Sequence, residues 1–178
     1  MNIELFNTLI AQGKPMQNLC EWKFFLEFIE NYFKGRGIKN PVIVELGTYQ
    51  NKQKKFYEQL LGARHIGIDI AGDSDIKGDT HRQETLEALK GLLAGKAINL
   101  LFIDGMHFYK DARADYNMYG SLTKNIIAFH DIDSYPRQEN RIGKLWQEIM
   151  AKEKEYTTMT FRKWQDKFRF GIALLIKE

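Results

Sequence analysis

The chain has 178 residues, 44% of them apolar or aromatic, which suits one domain with a sizeable core. The net charge is only +3, and apart from Lys52, Lys54, Lys55 and a scatter from Arg162 to Arg169 the basic residues are dispersed, which argues against a nucleic-acid stripe. The single cysteine, Cys20, excludes an intrachain disulfide and a paired-thiolate metal site, and no run reaches the roughly 18 apolar residues of a membrane span, so a cytoplasmic protein with no membrane or nucleic-acid partner is expected.

Residues 1–40 read as a helical extension. In "NLCEWKFFLEFIENYFKG", Asn18 and Glu21 supply a capping start, Trp22, Phe25, Ile29 and Phe33 recur at helical spacing, and Gly35 stops the run. Trp22, Phe24, Phe28 and Tyr32 exceed what one helix face needs and point to a homodimer contact. After Pro41 the period changes: "VIVEL" is a short β-branched run of the kind buried on both faces. A helix is expected from Asn51 through Phe56, Tyr57, Leu60 and Leu61 to Gly62, then a strand at "HIGIDI" (65–70) and a brief third strand within "DIKGD". Thr80 and Gln83 form a capping-box pattern for a helix carrying Leu86, Leu89 and Leu93, closed by Gly95. "AINLLFID" (97–104) is the clearest strand, followed by a helix from Phe108 to Tyr119, a fifth strand at "NIIAFHD", and a helix marked by Ile142, Leu145, Trp146 and Ile149. "YTTMTF" and "FRFGIALLI", separated by "RKWQDK", read as a closing hairpin.

Strands alternating with helices of this length imply right-handed crossovers and a mostly parallel, doubly wound α/β sheet. Ligands of such sheets bind outside the carboxyl ends of the strands. That edge collects Glu45 and Gly47, Asp69, Asp79, Asp104 with His107 beyond it, and His130 with Asp131. Any one of these acids has a structural alternative as a turn or cap residue, Asp79 above all. Asp104, His130 and Asp131 end adjacent strands and form either a site for a hard or borderline divalent cation or a hydrogen-bonded loop anchor. His107 is a candidate general base or a helix cap. His65 and His81 carry weaker signals, and the three lysines read as a solvated helix face or an anion site at a helix N-terminus.

The succession "VIVELGTYQ", "HIGIDI", "IKGDT", "LLFIDGMHFYKDARADYNMY" and "NIIAFHDID" resembles class I S-adenosylmethionine-dependent methyltransferases over about residues 38 to 176. It is most similar to the small O-methyltransferase branch that includes cephalosporin-hydroxylase-type proteins, and more distantly to catechol O-methyltransferase. The resemblance implies a three-layer Rossmann-like fold, a single domain with its α/β core in 41–178, and a seven-stranded sheet in the order 3-2-1-4-5-7-6 with strand seven antiparallel. It places Glu45, Gly47, Thr48 and Tyr49 around the methionine part of S-adenosylmethionine, Asp69 at the ribose, Asp79 and Thr80 at the adenine, and Asp104 beside the cofactor. It further implies a divalent cation, commonly magnesium, at Asp104, His130 and Asp131, with Asp104 and His107 catalytic in O-methylation of a small hydroxylated acceptor such as a sugar or secondary metabolite. Tyr135, Arg137 and Arg141 are acceptor-side candidates.

Three positions depart from the pattern. The loop Glu-x-Gly-Thr-x-x-Gly-x-Ser has Asn51 and Gln53 in place of its last Gly and Ser, and Met106 stands where relatives often carry an acid. Asn is the mildest replacement where φ is positive, so a left-handed Asn51 is expected if the loop still closes. The competing reading is a catalytically silent module with a damaged cofactor loop. A dehydrogenase is disfavoured because Gly-x-Gly-x-x-Gly is missing, and a metal-dependent hydrolase using the same acids and histidine stays open on ligand chemistry.

Overall fold

The computed structural model describes residues 1–133, 141–153, 156–162 and 170–177. One sheet contains β1 (Val42–Leu46), β2 (Arg64–Asp69), β3 (Ile76–Lys77), β4 (Ile98–Ile103), β5 (Thr123–Phe129), β6 (Thr157–Phe161) and β7 (Ile172–Ile176). Its order is β3-β2-β1-β4-β5-β7-β6, as the family resemblance implied. β1 to β5 pair in parallel, whereas β7 runs antiparallel to both β5 and β6.

Alternation along the strands builds two half-cores. Val44, Leu46, Leu101, Ile103, Ile127 and Phe129 face α4 (Gln83–Leu93), α5 (Tyr109–Tyr119) and α6 (Ile142–Lys152). Ile43, Leu100, Phe102, Ile126 and Ala128 face α1 (Ile3–Ala11), α2 (Leu19–Gly35) and α3 (Lys54–Leu61). Both faces are covered, which is why β1, β4 and β5 read as near-continuous apolar runs. The N-terminal helices thus form one of the two outer layers together with α3. Trp22 is fully buried against Phe56, Tyr57 and Phe102, and Phe28 and Tyr32 pack as partly buried residues on the same half-core, while Phe24 is 53% exposed. No helix among the described residues is long and apolar enough to cross a membrane.

Local boundaries differ from expectation at informative places. α3 begins at Lys54 rather than Asn51, because Tyr49 and Asn51 both have positive φ (50° and 53°) and the intervening residues form turns. The Thr80–Gln83 capping box does not form: α4 starts at Gln83 with Arg82 as N-cap and no side-chain cap bond. Asp79 organises that entry instead, accepting the His81 N–H at 2.9 Å through Oδ1 and the Arg82 N–H at 3.0 Å through its carbonyl. Tyr135, Arg137 and most of the "RKWQDK" turn lie outside the described residues; Arg141, which is within them, stacks its guanidinium 4.5 Å from the Phe108 ring centre.

Candidate functional site

The loop after β1 is built by close backbone approach. A Cβ on Gly47 would stand 2.4 Å from the Gly105 Cα and 2.5 Å from the Asp104 carbonyl oxygen, so only glycine lets the loops after β1 and β4 meet. The Gly47 N–H donates to the Ile68 carbonyl at 2.8 Å, and the Tyr49 N–H donates to Asp69 Oδ2 at 2.7 Å. Asp69 Oδ1 accepts the Ala71 N–H at 2.8 Å, so this carboxylate ties together the loops after β1 and β2. Asn51 adopts the left-handed conformation and its N–H donates to the Thr48 carbonyl at 2.8 Å, closing the turn without the expected glycine.

Two cavities open beside this loop. The larger, about 810 Å³, is lined by Gly47, Tyr49, Asp69, Asp79, Thr80 and Asp104 among others, which brings together most of the residues assigned to the cofactor. The smaller, about 280 Å³, is lined by Thr48, Tyr49, Asp104, His107, His130 and Asp131. Gly47, Tyr49 and Asp104 line both. Tyr49, 57% exposed, stands at this junction.

Asp104, His107 and His130 each place a ligand-type atom within 4.8 Å of the others. His130 Nδ1 is 2.6 Å from Asp104 Oδ1, yet neither ring nitrogen of this buried histidine has an aligned hydrogen-bond partner among the described residues. Burial alone would lower the His130 pKa, but the carboxylates of Asp104, Asp131 and Glu21 outweigh it and raise the value. His107 Nε2 lies 3.3 Å from Asp131 Oδ2, and its buried Nδ1 has no partner among the described residues. Asp131 Oδ1 is 3.7 Å from His130 Nδ1, so this carboxylate, on a residue with positive φ (62°), lies beside both imidazoles. The expected acids and histidines therefore converge, with His107 drawn into the same cluster.

Glu45 is placed differently from the other loop residues. It is fully buried, lines neither cavity, and pairs with His65 Nε2 at 2.9 Å on the α1–α3 side of the sheet. Burial first, then the nearby charges of Asp104 and Asp69, raise the Glu45 pKa well above the usual carboxylate range; burial lowers that of His65 to about 4. The pair is thus held as a neutral acid on a neutral imidazole, which stacks on Tyr57 at 5.2 Å. Two of the lysines are occupied structurally, Lys54 pairing with Asp75 at 2.7 Å and Lys55 donating to the Leu9 carbonyl at 2.7 Å, while Lys52 lines the smaller cavity.

Two residues at the site carried no signal in the sequence reading. Asp115, on α5 and 2% exposed, lines the larger cavity; its Oδ1 is 3.3 Å from His81 Nε2 and has no aligned partner among the described residues. Gln17, between α1 and α2, donates from Nε2 to Asp104 Oδ2 at 2.6 Å.

No family model and no curated protein matches the chain. Solved structures do match. The O-methyltransferase from Bacillus cereus in complex with SAH superposes with a TM-score of 0.59 at 11% identity, over 98% of this chain and 89% of that one. MycE from the mycinamycin biosynthetic pathway, solved with Mg and SAH, gives 0.62 at 11% identity over 85% of this chain and 49% of its own, so this chain spans about half of it. Magnesium protoporphyrin IX methyltransferase from Synechocystis PCC 6803 with bound SAM gives 0.59 at 10% identity over 90% and 81%. These likenesses, with the sheet order and the antiparallel β7, define the class I S-adenosylmethionine-dependent methyltransferase fold. Small O-methyltransferases are among the proteins with which this chain shares it.

Proposed function

We propose that the chain is an S-adenosylmethionine-dependent methyltransferase that methylates an oxygen of a small hydroxylated acceptor with the help of a divalent cation. The observation that carries this reading is that the two cavities meet at Gly47, Tyr49 and Asp104, so that a donor in one and an acceptor in the other face each other across a single loop. Asp69, Asp79 and Thr80 are suited to the nucleoside end of the larger cavity, and Gly47 to the close backbone approach beside it.

The donor set fits a cation. Asp104 and His130 stand with unaligned ligand atoms 2.6 Å apart, and His107 joins them with Nδ1 unpartnered among the described residues while Asp131 lies beside its Nε2. We therefore assign Asp104, His107 and His130 as ligands and Asp131 as the carboxylate that orients the His107 ring, a carboxylate–histidine arrangement common around metals. A bound divalent ion would supply Lewis acidity that lowers the pKa of an acceptor hydroxyl. The chain's own contribution is mainly orientation, which can supply roughly 7 to 11 kcal/mol in a displacement that needs an in-line nucleophile. In that displacement an acceptor oxygen–carbon bond forms as the methyl–sulfur bond breaks, the bonding electron pair stays on sulfur and discharges the sulfonium, and the hydroxyl proton passes to the Asp131 carboxylate and from there to solvent.

The positive φ of Asn51 supports the enzyme reading over the silent module, because the loop closes around the substituted glycine position. Calorimetry with S-adenosylmethionine, with and without magnesium, tests the reading: saturable heat is expected, and its absence at millimolar ligand contradicts it.

A further inference from the structure

The segment between α1 and α2 reaches the cation site from 87 residues away in sequence. Gln17 is 7% exposed, and its Nε2 donates to Asp104 Oδ2 at 2.6 Å, while the other carboxylate oxygen of Asp104 faces His130 Nδ1 at 2.6 Å. An amide nitrogen can only donate and a carboxylate oxygen can only accept, so turning the Gln17 amide over would set two acceptors against each other. Gln17 Oε1 is buried with no partner among the described residues, so the Asp104 contact alone sets the amide's orientation. Four residues further on, Glu21, 2% exposed on α2, accepts the Gly171 N–H at 3.1 Å. The segment is itself anchored: Lys55 Nζ holds the Leu9 carbonyl at 2.7 Å, the Asn18 side chain caps α2, and Met16 lines the smaller cavity.

We propose that Gln17 is a positioning residue of the cation site, fixing the Asp104 carboxylate so that Oδ1 is presented beside His130, and that the α1–α2 segment is thereby built into the acceptor side of the site. This rests on the cation reading given above. Hydrogen bonds to ligating carboxylates orient them, and losing such a partner typically costs 10- to 100-fold in metal affinity.

The test uses Mn²⁺ as the probe, followed by electron paramagnetic resonance on the full chain. Gln17→Met is nearly isosteric and leaves the net charge unchanged, so a changed affinity reports the lost donor. Gln17→Ala is read beside it in case the thioether packs badly, and Lys14→Ala, an exposed site in the same segment, serves as the control. Both Gln17 variants are expected to bind Mn²⁺ about tenfold or more weakly, with S-adenosylhomocysteine affinity unchanged and Lys14→Ala matching the wild type. Wild-type Mn²⁺ affinity in either folded Gln17 variant overturns the proposal and leaves the cation reading standing. No Mn²⁺ binding by the wild type overturns both.

Discussion

The side-chain oxygen of Asn51 lies 3.3 Å from the point where a Cβ on Gly67 would sit, and that same point is 2.6 Å from Thr48 Cγ2. Gly67 in β2 therefore makes room for the loop after β1, including the Asn that occupies a position where the family pattern has glycine. Gly67→Ala is expected to cost about 1–3 kcal/mol by overpacking and to weaken S-adenosylhomocysteine binding, as read by urea denaturation and calorimetry. Asn51→Gly removes a Cβ at φ 53° and should change stability by less than about 1 kcal/mol. Asn51→Val puts a β-branched residue at that φ and is expected to open the loop.

The left-handed Asn51 was legible in the sequence because a short polar side chain at a glycine position leaves few backbone options. Gly67 was not, since its role depends on which residue of β1's loop passes over β2. The strands were legible for a related reason: "VIVEL", "INLLFI" and "NIIAF" are apolar on both faces because helices cover both faces. The Thr80 capping box does not form: Asp79 takes the His81 and Arg82 N–H groups, the helix starts after Arg82, and the Thr80 hydroxyl bonds Asp115 instead. Asp115 and Gln17 escaped notice because an acid in a polar helix and a glutamine in a linker look solvated until the topology buries them. His65 read as a strand-opening residue; its partnership with Glu45 appears only when β1 and β2 are set side by side.

Asp115 makes stability depend on pH. Burial, tempered by the Thr80 hydroxyl and His81, raises its pKa from 3.8 to about 6. The folded state thus holds this proton more tightly than the unfolded chain, so the stability associated with the protonated acid is full below about pH 4 and is lost as pH rises through 6. Asp115→Asn mimics the neutral acid and should stabilise the protein at pH 7.5 by up to about 3 kcal/mol while changing little at pH 4. Urea denaturation at the two pH values checks this; equal effects at both would contradict it.

The buried pairing of Glu45 with His65 points to a role in the scaffold. Glu45→Gln preserves a donor to His65 Nε2 and is expected to retain both stability and S-adenosylhomocysteine affinity. Glu45→Ala leaves a buried imidazole nitrogen unpaired and should cost about 1–3 kcal/mol for that group, plus a cavity penalty. A large loss of cofactor affinity in Glu45→Gln, with the fold intact, would return this residue to the cofactor site.

His107 has two candidate roles that one variant separates. As a ligand, its loss in His107→Ala should weaken Mn²⁺ binding at least about tenfold; as a base alone, its loss would leave Mn²⁺ affinity unchanged and lower turnover. Nδ1, with no partner among the described residues, and the Asp131 carboxylate beside Nε2 favour the first outcome. Asp131→Asn should then weaken Mn²⁺ binding less than His107→Ala does.

The larger cavity is the proposed cofactor site. Amide chemical-shift mapping of the ¹⁵N-labelled protein during titration with S-adenosylhomocysteine tests it directly. Saturable shifts centred on Gly47, Tyr49, Asp69, Thr80 and Gly105, abolished in Asp69→Ala, are the predicted result. No saturable shifts, or shifts confined to residues away from that cavity, would contradict it.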